Sequence, residues 1–239
     1  MLNVFEQKPY PWRRRARRHF FRHLPNLWRG LALNPYFQST TLNQDQAAFE
    51  RAHFFANGDD AIPGGFPTAT VWSANDDATV EHLKAARPDL IMVYGTGLLR
   101  RHIFELAPLG AINAHGGLLP GYRGLDTNLW AALEGKPEDM AVTIHKIDPE
   151  LDTGPVYLTR RLGPVPGLDL ASFRYHSAIL STDLLLEVLT GFAGGTAEAT
   201  AQSSRGRYFG PMPVRLKRRA ERIIREWTLQ ALPAEREAA

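Results

Sequence analysis

The chain has no cysteine among its 239 residues. Disulfides, thiolate nucleophiles and cysteine-ligated metals are therefore excluded, and any catalysis must run on oxygen and nitrogen groups. Long apolar runs are missing too, since none approaches the roughly 20 residues that a membrane helix needs. Residues 1–6 lack the charged and apolar regions of a secretory signal. The stretch 13–29 is arginine-rich and acid-poor like a mitochondrial transit peptide, but it is poor in serine. A charge excess of one sign is also lacking: 28 Lys and Arg stand against 25 Asp and Glu, a net +3. That balance is too even to argue for nucleic acid. These absences predict a soluble cytoplasmic protein with neither a membrane nor a nucleic-acid partner.

What is present supports a folded α/β domain. Apolar residues make up 44% of the chain, ordinary for a globular protein. The basic residues gather at 13–18 and 215–225, leaving a mixed middle where chemistry should lie. Residues 2–5 form a short apolar run cut off by Pro9 and Pro11, and 12–24 carries a helical mix of arginines with Phe20, Phe21 and Leu24. A helix is predicted over 43–55, with Asn43 as its cap. From 68 onward a regular alternation appears: strands at 69–72, 90–94 and 111–114, with a helix at 77–87 between the first two. Further strands are predicted at 142–146 and 156–161, a long apolar helix at 172–189, and a basic helix at 214–230. Alternation of this kind predicts a doubly wound, Rossmann-like, mostly parallel sheet covered by helices. The expected organisation is a catalytic domain over 1–200, with its core at 67–190 and an atypical basic segment at 1–66. A basic, partly helical tail at 201–239 completes it.

Within the strand Ala111-Ile112-Asn113-Ala114-His115, the two-residue period puts Asn113 and His115 on one face. A glycine-rich turn follows, Gly116 and Gly117 and then Leu118-Leu119-Pro120-Gly121-Tyr122-Arg123-Gly124, which lets backbone approach a ligand closely. In open α/β sheets ligands sit beyond the carboxyl ends of strands, where this pair points. Between the next two predicted strands lies an acidic loop, Ile147-Asp148-Pro149-Glu150-Leu151-Asp152-Thr153-Gly154-Pro155. Asn supplies an amide donor, His donates or accepts near neutral pH, and Asp holds the imidazole or takes a proton. Such a set suits acyl transfer to an amine: the oxygen that gains charge needs fixed donors about 3 Å away, and the attacking amine must lose a proton. No metal is required.

An Asn-x-His strand end, a Leu-Pro-x-Tyr-Arg-Gly loop and a later Asp-Thr-Gly-Pro, in that order, resemble the catalytic domain of the folate-dependent formyltransferases. That family includes glycinamide ribonucleotide, methionyl-tRNA and sugar-nucleotide formyltransferases, and the likeness runs over about 67–189. It implies oxyanion stabilisation by Asn113 and His115, proton relay by Asp152, and 10-formyltetrahydrofolate as the one-carbon donor. It also implies a folate site between two loops, matching Gly95, Thr96, Leu98 and Leu99 on one side and Asp148, Glu150 and Leu151 on the other, with the pteridine held largely through backbone. Gly116, Tyr122, Arg123 and Asn128 are the candidates for contacting the acceptor.

Two departures stand beside the resemblance. The strand, turn and helix with which family members open are missing, and residues 2–6 read more like the family's second strand. The expectation is a chain that starts late, with an incomplete acceptor pocket. After Gly191 nothing is long or strand-rich enough to form the β-rich tRNA domain of methionyl-tRNA formyltransferases, so a small-molecule amine is the expected acceptor. Hydrolysis of the same donor, or folate binding without turnover, are the rival outcomes. Blander readings remain for single residues. Asp126, Thr127 and Asn128 fit a helix start as well as an acceptor contact. Arg123 can pair with a carboxylate instead of a ligand. His145 and His176 fall among apolar residues and read as packed or edge histidines, and the His19/His23 spacing lacks an acidic third metal ligand.

Overall fold

The computed structural model describes residues 3–6, 35–54 and 67–232. The helix expected over 12–24, with His19 and His23, lies outside the described residues. Among the described residues eight strands occur: β1 (Asn3–Glu6), β2 (Thr68–Val71), β3 (Ile91–Val93), β4 (Ala111–His115), β5 (Tyr122–Gly124), β6 (Ala141–Lys146), β7 (Val156–Arg161) and β8 (Arg207–Phe209). The helices are α1 (Pro35–Phe54), α2 (Asp77–Ala86), α3 (Arg101–Phe104), α4 (Thr127–Leu133), α5 (Leu170–Ala193) and α6 (Val214–Ala231). The central sheet has the order β3-β4-β6-β7, while β1-β2 and β5-β8 form separate two-stranded parallel sheets.

The central sheet is mixed rather than mostly parallel: β3 runs parallel to β4, but β6 is antiparallel to both β4 and β7. A parallel return needs a crossover of a dozen or more residues. Residues 147–155 are too few for one, so β7 must turn back along β6. Strand β6 is buried from Ala141 to His145, and its residues alternate, Val142 and Ile144 packing toward α5 and Thr143 and His145 pointing to the other face.

Helices cover both faces. Ile112 and Ala114 of β4 pack with Val142 and Ile144 against Leu184 and Val188 of α5. On the opposite face Ala111 meets a cluster built from Leu83 of α2 with Ile103 and Phe104 of α3. Leu184 has no exposure at all, so Leu184→Ala should cost about 2–5 kcal/mol. Helix α2 is fixed at its start by Asp76, whose carboxylate accepts from the backbone of Thr79 and Ser73, both at 3.0 Å. A capping box of Asp169 and Ser172 opens α5, two residues before the predicted start. Helix α1 begins at Pro35, a residue whose fixed φ suits a first helical position; Asn43 is therefore internal and not the cap. It docks on α5 through Gln46, which donates to the Leu170 carbonyl at 2.8 Å. Helix α6 presents Ala220 and Ile224 to a third cluster with Leu129, Met140 and Leu168. No helix among the described residues is long and apolar enough to cross a membrane.

Candidate active site

Strand β4 delivers Asn113 and His115 to one face at its carboxyl end, His115 buried and Asn113 half-buried. The pleat turns Ile112 and Ala114 toward α5, so Asn113 and His115 leave the opposite side. His115 Nε2 donates to the Tyr122 carbonyl at 2.8 Å, which anchors the ring to the turn after β4. Thr143 Oγ1 donates to the Gly117 carbonyl at 2.7 Å, and Thr127 Oγ1 donates to that of Gly116. A Cβ on Gly117 would come within 2.7 Å of His115 Nε2, so a side chain there would push the imidazole away.

The acidic loop brings Asp152 to the same place. Its Oδ2 lies 3.6 Å from His115 Nδ1 and accepts from the Gly124 N–H at 2.9 Å; its Oδ1 lies 3.5 Å from His145 Nε2. Asp152 sits at φ 54, a left-handed conformation that Asp tolerates better than most residues but that still costs energy. The tight approach of Gly154 sustains it, since a Cβ there would meet the Lys146 carbonyl oxygen at 1.9 Å.

Protonation follows from burial and neighbours. Burial pushes His115 below the ordinary histidine value, against the opposing pull of Asp152. For Asp152 burial acts upward, but the neighbouring His145 and His115 rings and the Gly124 N–H outweigh it and hold the carboxyl below its usual range. The resting state is an anionic Asp152 beside a neutral His115. With Nε2–H committed to a carbonyl, the His115 lone pair sits on Nδ1, facing Asp152. A proton arriving there would be held by both groups. Both His115 nitrogens are turned to protein atoms, Nε2 to the Tyr122 carbonyl and Nδ1 to Asp152.

His145 carries no signal of a role in the sequence pattern. It was expected to be a packing histidine, but it touches both other polar groups: Asn113 Nδ2 lies 3.2 Å from its Nε2, and Asp152 lies on the same nitrogen. Only the antiparallel register, which sets His145 directly opposite Asn113, could have revealed this.

The other expected residues divide. Gly95 and Thr96 are exposed beyond β3, as is Leu98 at 54%. Leu99 is a core residue packed near Ile103 and Phe104, which leaves its backbone as the part open to the loop. Leu151 is 37% exposed, and its carbonyl accepts from Arg123 Nη1 at 2.8 Å. Asp148 accepts from Thr153 Oγ1 at 2.8 Å, and Glu150 pairs with Arg205 at 2.9 Å. The loops after β3 and β6 thus each present an exposed leucine beside backbone groups, which fits a flat, hydrogen-bonding ring such as a pteridine.

Gly116 is exposed, whereas three of the proposed acceptor contacts serve the scaffold. Tyr122 stacks on Phe209 at 5.3 Å and its hydroxyl donates to Glu134. Buried Arg123 braces the acidic loop. Buried Asn128 is bonded at both ends of its amide, donating to the Ala141 carbonyl at 2.9 Å and accepting from its N–H at 2.8 Å. Asp126 does not cap α4 by its side chain; it accepts from the Met212 N–H and pairs with Lys217, both at 2.8 Å. A cleft of about 540 Å³ opens between α1, α5 and the ends of β3 and β4, lined by Glu50, Phe54, Tyr94, Gly95, Gly116 and Arg174. Arg174 grips Glu50 through two nitrogens, at 3.0 and 3.3 Å.

A mixed α/β sheet with an amide, an imidazole and a carboxylate at one strand end defines a class suited to group transfer without a metal. The sequence profile of the formyl transferase family matches residues 42–188. The chain belongs to that family. Methionyl-tRNA formyltransferase of Desulfotalea psychrophila is 38% identical over 143 residues, 59% of this chain and 44% of that protein. The protein of the same name from Chloroflexus aggregans is 34% identical over 177 residues, 74% of this chain and 55% of that protein. The chain thus spans about half the length of these curated relatives. Among solved structures, the formyltransferase PseJ from Anoxybacillus kamchatkensis, in complex with UDP-4,6-dideoxy-4-formamido-L-AltNAc and tetrahydrofolate, superimposes with a TM-score of 0.51 at 25% identity. That match covers 68% of this chain and 80% of that one. HypX from Aquifex aeolicus, at 19% identity and a TM-score of 0.53 over 79% of this chain and 33% of its own, shares the fold.

Proposed function

We propose that this site transfers a formyl group from 10-formyltetrahydrofolate to the primary amine of a small-molecule acceptor. The observation that carries the reading is the convergence of the Asn113 amide with the Asp152–His115 pair beyond β4, since formyl transfer needs a donor for the carbonyl oxygen and a base for the amine proton. The folate brings a formyl carbon already activated by its attachment to nitrogen. Asn113 donates a hydrogen bond to the formyl oxygen as it gains charge. Asp152, anionic and pinned by Gly124, draws the proton released by the attacking amine and shares it with His115 Nδ1; as the bond from the formyl carbon to N10 breaks, that proton goes to N10, and the products are the formamide and tetrahydrofolate. The loops at Gly95, Thr96 and Leu98 and at Asp148, Glu150 and Leu151 hold the pteridine, with Leu98 and Leu151 as apolar walls.

The non-reacting part of the acceptor occupies the cleft, where the exposed rings of Tyr94 and Phe54 offer flat surfaces and the Glu50–Arg174 pair offers polar groups. An amino sugar nucleotide or an aminated ribonucleotide matches these walls, and the formamido sugar bound by PseJ supports that choice. The tRNA named for the curated relatives is not carried over, because the match covers only half of those proteins.

The deciding experiment follows loss of 10-formyltetrahydrofolate with and without candidate amines. Loss that requires an amine supports transfer. Loss without one makes the site a hydrolase, and tight folate binding without turnover makes it a binding protein; either result refutes the proposal.

A further inference from the structure

An oxyanion donor must present N–H, yet the two ends of an asparagine amide are nearly the same shape and can exchange places. Something must hold Asn113 the right way round. His145 Nδ1 lies 2.9 Å from the Lys146 carbonyl oxygen. A carbonyl only accepts, so Nδ1 carries a proton, and with that single ring proton Nε2 offers a lone pair. That lone pair lies 3.2 Å from Asn113 Nδ2. With the amide reversed, Oδ1 would meet it lone pair against lone pair; only the NH2 orientation makes a bond. One amide hydrogen is spent on His145, and the other remains for a ligand oxygen at the half-buried Asn113.

The scaffold is rigid enough to enforce this. His145 is 2% exposed, and the β4–β6 ladder sets it directly opposite Asn113. The charged and titratable groups that face its ring are few. Asp152 Oδ1 is at 3.5 Å, the His115 ring centroid is at 6.2 Å, and neighbouring Lys146 is exposed, with its side chain beside Gly110. Nothing else assigns His145 a part in the chemistry.

We propose that His145 is a positioning residue: by accepting from Nδ2 it fixes the Asn113 amide with an N–H turned to the substrate oxygen. The kinetic consequence rests on the formyl-transfer reading, but the orientation itself does not, so the two can fail separately. Two substitutions of similar length separate bonding from packing. His145→Gln keeps an oxygen that can accept from Asn113, whereas His145→Met keeps bulk with only a weak acceptor.

The first measurement is solvent exchange of the Asn113 side-chain NH2 in 15N-labelled protein, with the resonances assigned by their loss in Asn113→Ala. The expected result is one protected hydrogen in the wild type and in His145→Gln, and none in His145→Met. The second is turnover: kcat in His145→Met should fall about 10- to 100-fold with the donor KM nearly unchanged, and His145→Gln should recover most of it. Retained protection in folded His145→Met, or Gln and Met variants equally impaired while folded, would overturn the proposal. Should His145→Met fail to fold, His145→Gln decides alone, since loss of its protected hydrogen is fatal to the idea.

Discussion

Asp152 Oδ2 lies 3.6 Å from Nδ1 of His115, with both side chains at most 7% exposed. The distance is slightly long for a hydrogen bond, and the imidazole nitrogen that faces the carboxylate carries no proton at rest. The pair is poised to receive one. That relationship, with Asn113 nearby on the same strand face, connects the sequence motif to its chemistry.

Removing any of the three polar groups should stop turnover without unfolding the chain. Asn113→Ala, His115→Ala and Asp152→Ala should each lower the rate of 10-formyltetrahydrofolate consumption by at least ~100-fold, the scale for losing an oxyanion donor or a general base. Thermal unfolding of each variant separates lost chemistry from lost fold. Unchanged rates would reject the assignment.

Acid should destabilise the protein in two stages. Burial holds His115 below its ordinary value of 6.5, so below that pH the unfolded chain takes up a proton that the folded chain refuses, and folding weakens. Asp152 is held below 3.8; its contribution is present above that value and is lost as pH falls through the folded one. Urea unfolding at several pH values should therefore show a midpoint that declines on acidification, and less steeply in a His115→Gln, Asp152→Asn double variant. Parallel declines in both proteins would contradict the account.

Asn128 should prove structural. Asn128→Ala removes both bonds to Ala141 and leaves buried backbone groups unpaired, a loss of about 2–4 kcal/mol. The acceptor KM should hardly move. A tenfold rise in KM at unchanged stability would return Asn128 to the acceptor site.

Gly154→Ala should act through crowding. The added methyl meets the Lys146 carbonyl, so the acidic loop must shift, costing about 1–3 kcal/mol and displacing Asp152. Denaturant titration and turnover should fall together. A variant with wild-type stability would show that the loop has slack.

Much of this was legible in the chain. The elements found at α2, β4, β7 and α6 follow from clear periodicity and flanking turn residues, and the two-residue period alone put Asn113 and His115 on one face. Direction and register were not legible, because periodicity says which face a strand buries but not which way it runs. The antiparallel β6 was therefore read as part of a mostly parallel sheet, and His145, which its register sets against Asn113, was read as packing. The Tyr122–Gly124 and Arg207–Phe209 pairing was also hidden, three residues being too few for a pattern. Tyr122 and Asn128 misled for a related reason: polar atoms beside a glycine-rich turn look like ligand contacts until their partners in the fold are known.

The central claim is that the formyl group crosses from folate to an amine beside Asn113. Single turnover with 13C-formyl-labelled 10-formyltetrahydrofolate and an amino sugar nucleotide, in wild type and Asn113→Ala, tests it most directly. Label should appear on the amine in the wild type and be almost absent from it in the variant over the same time. Label released as free formate, or equal transfer by both proteins, would contradict the claim.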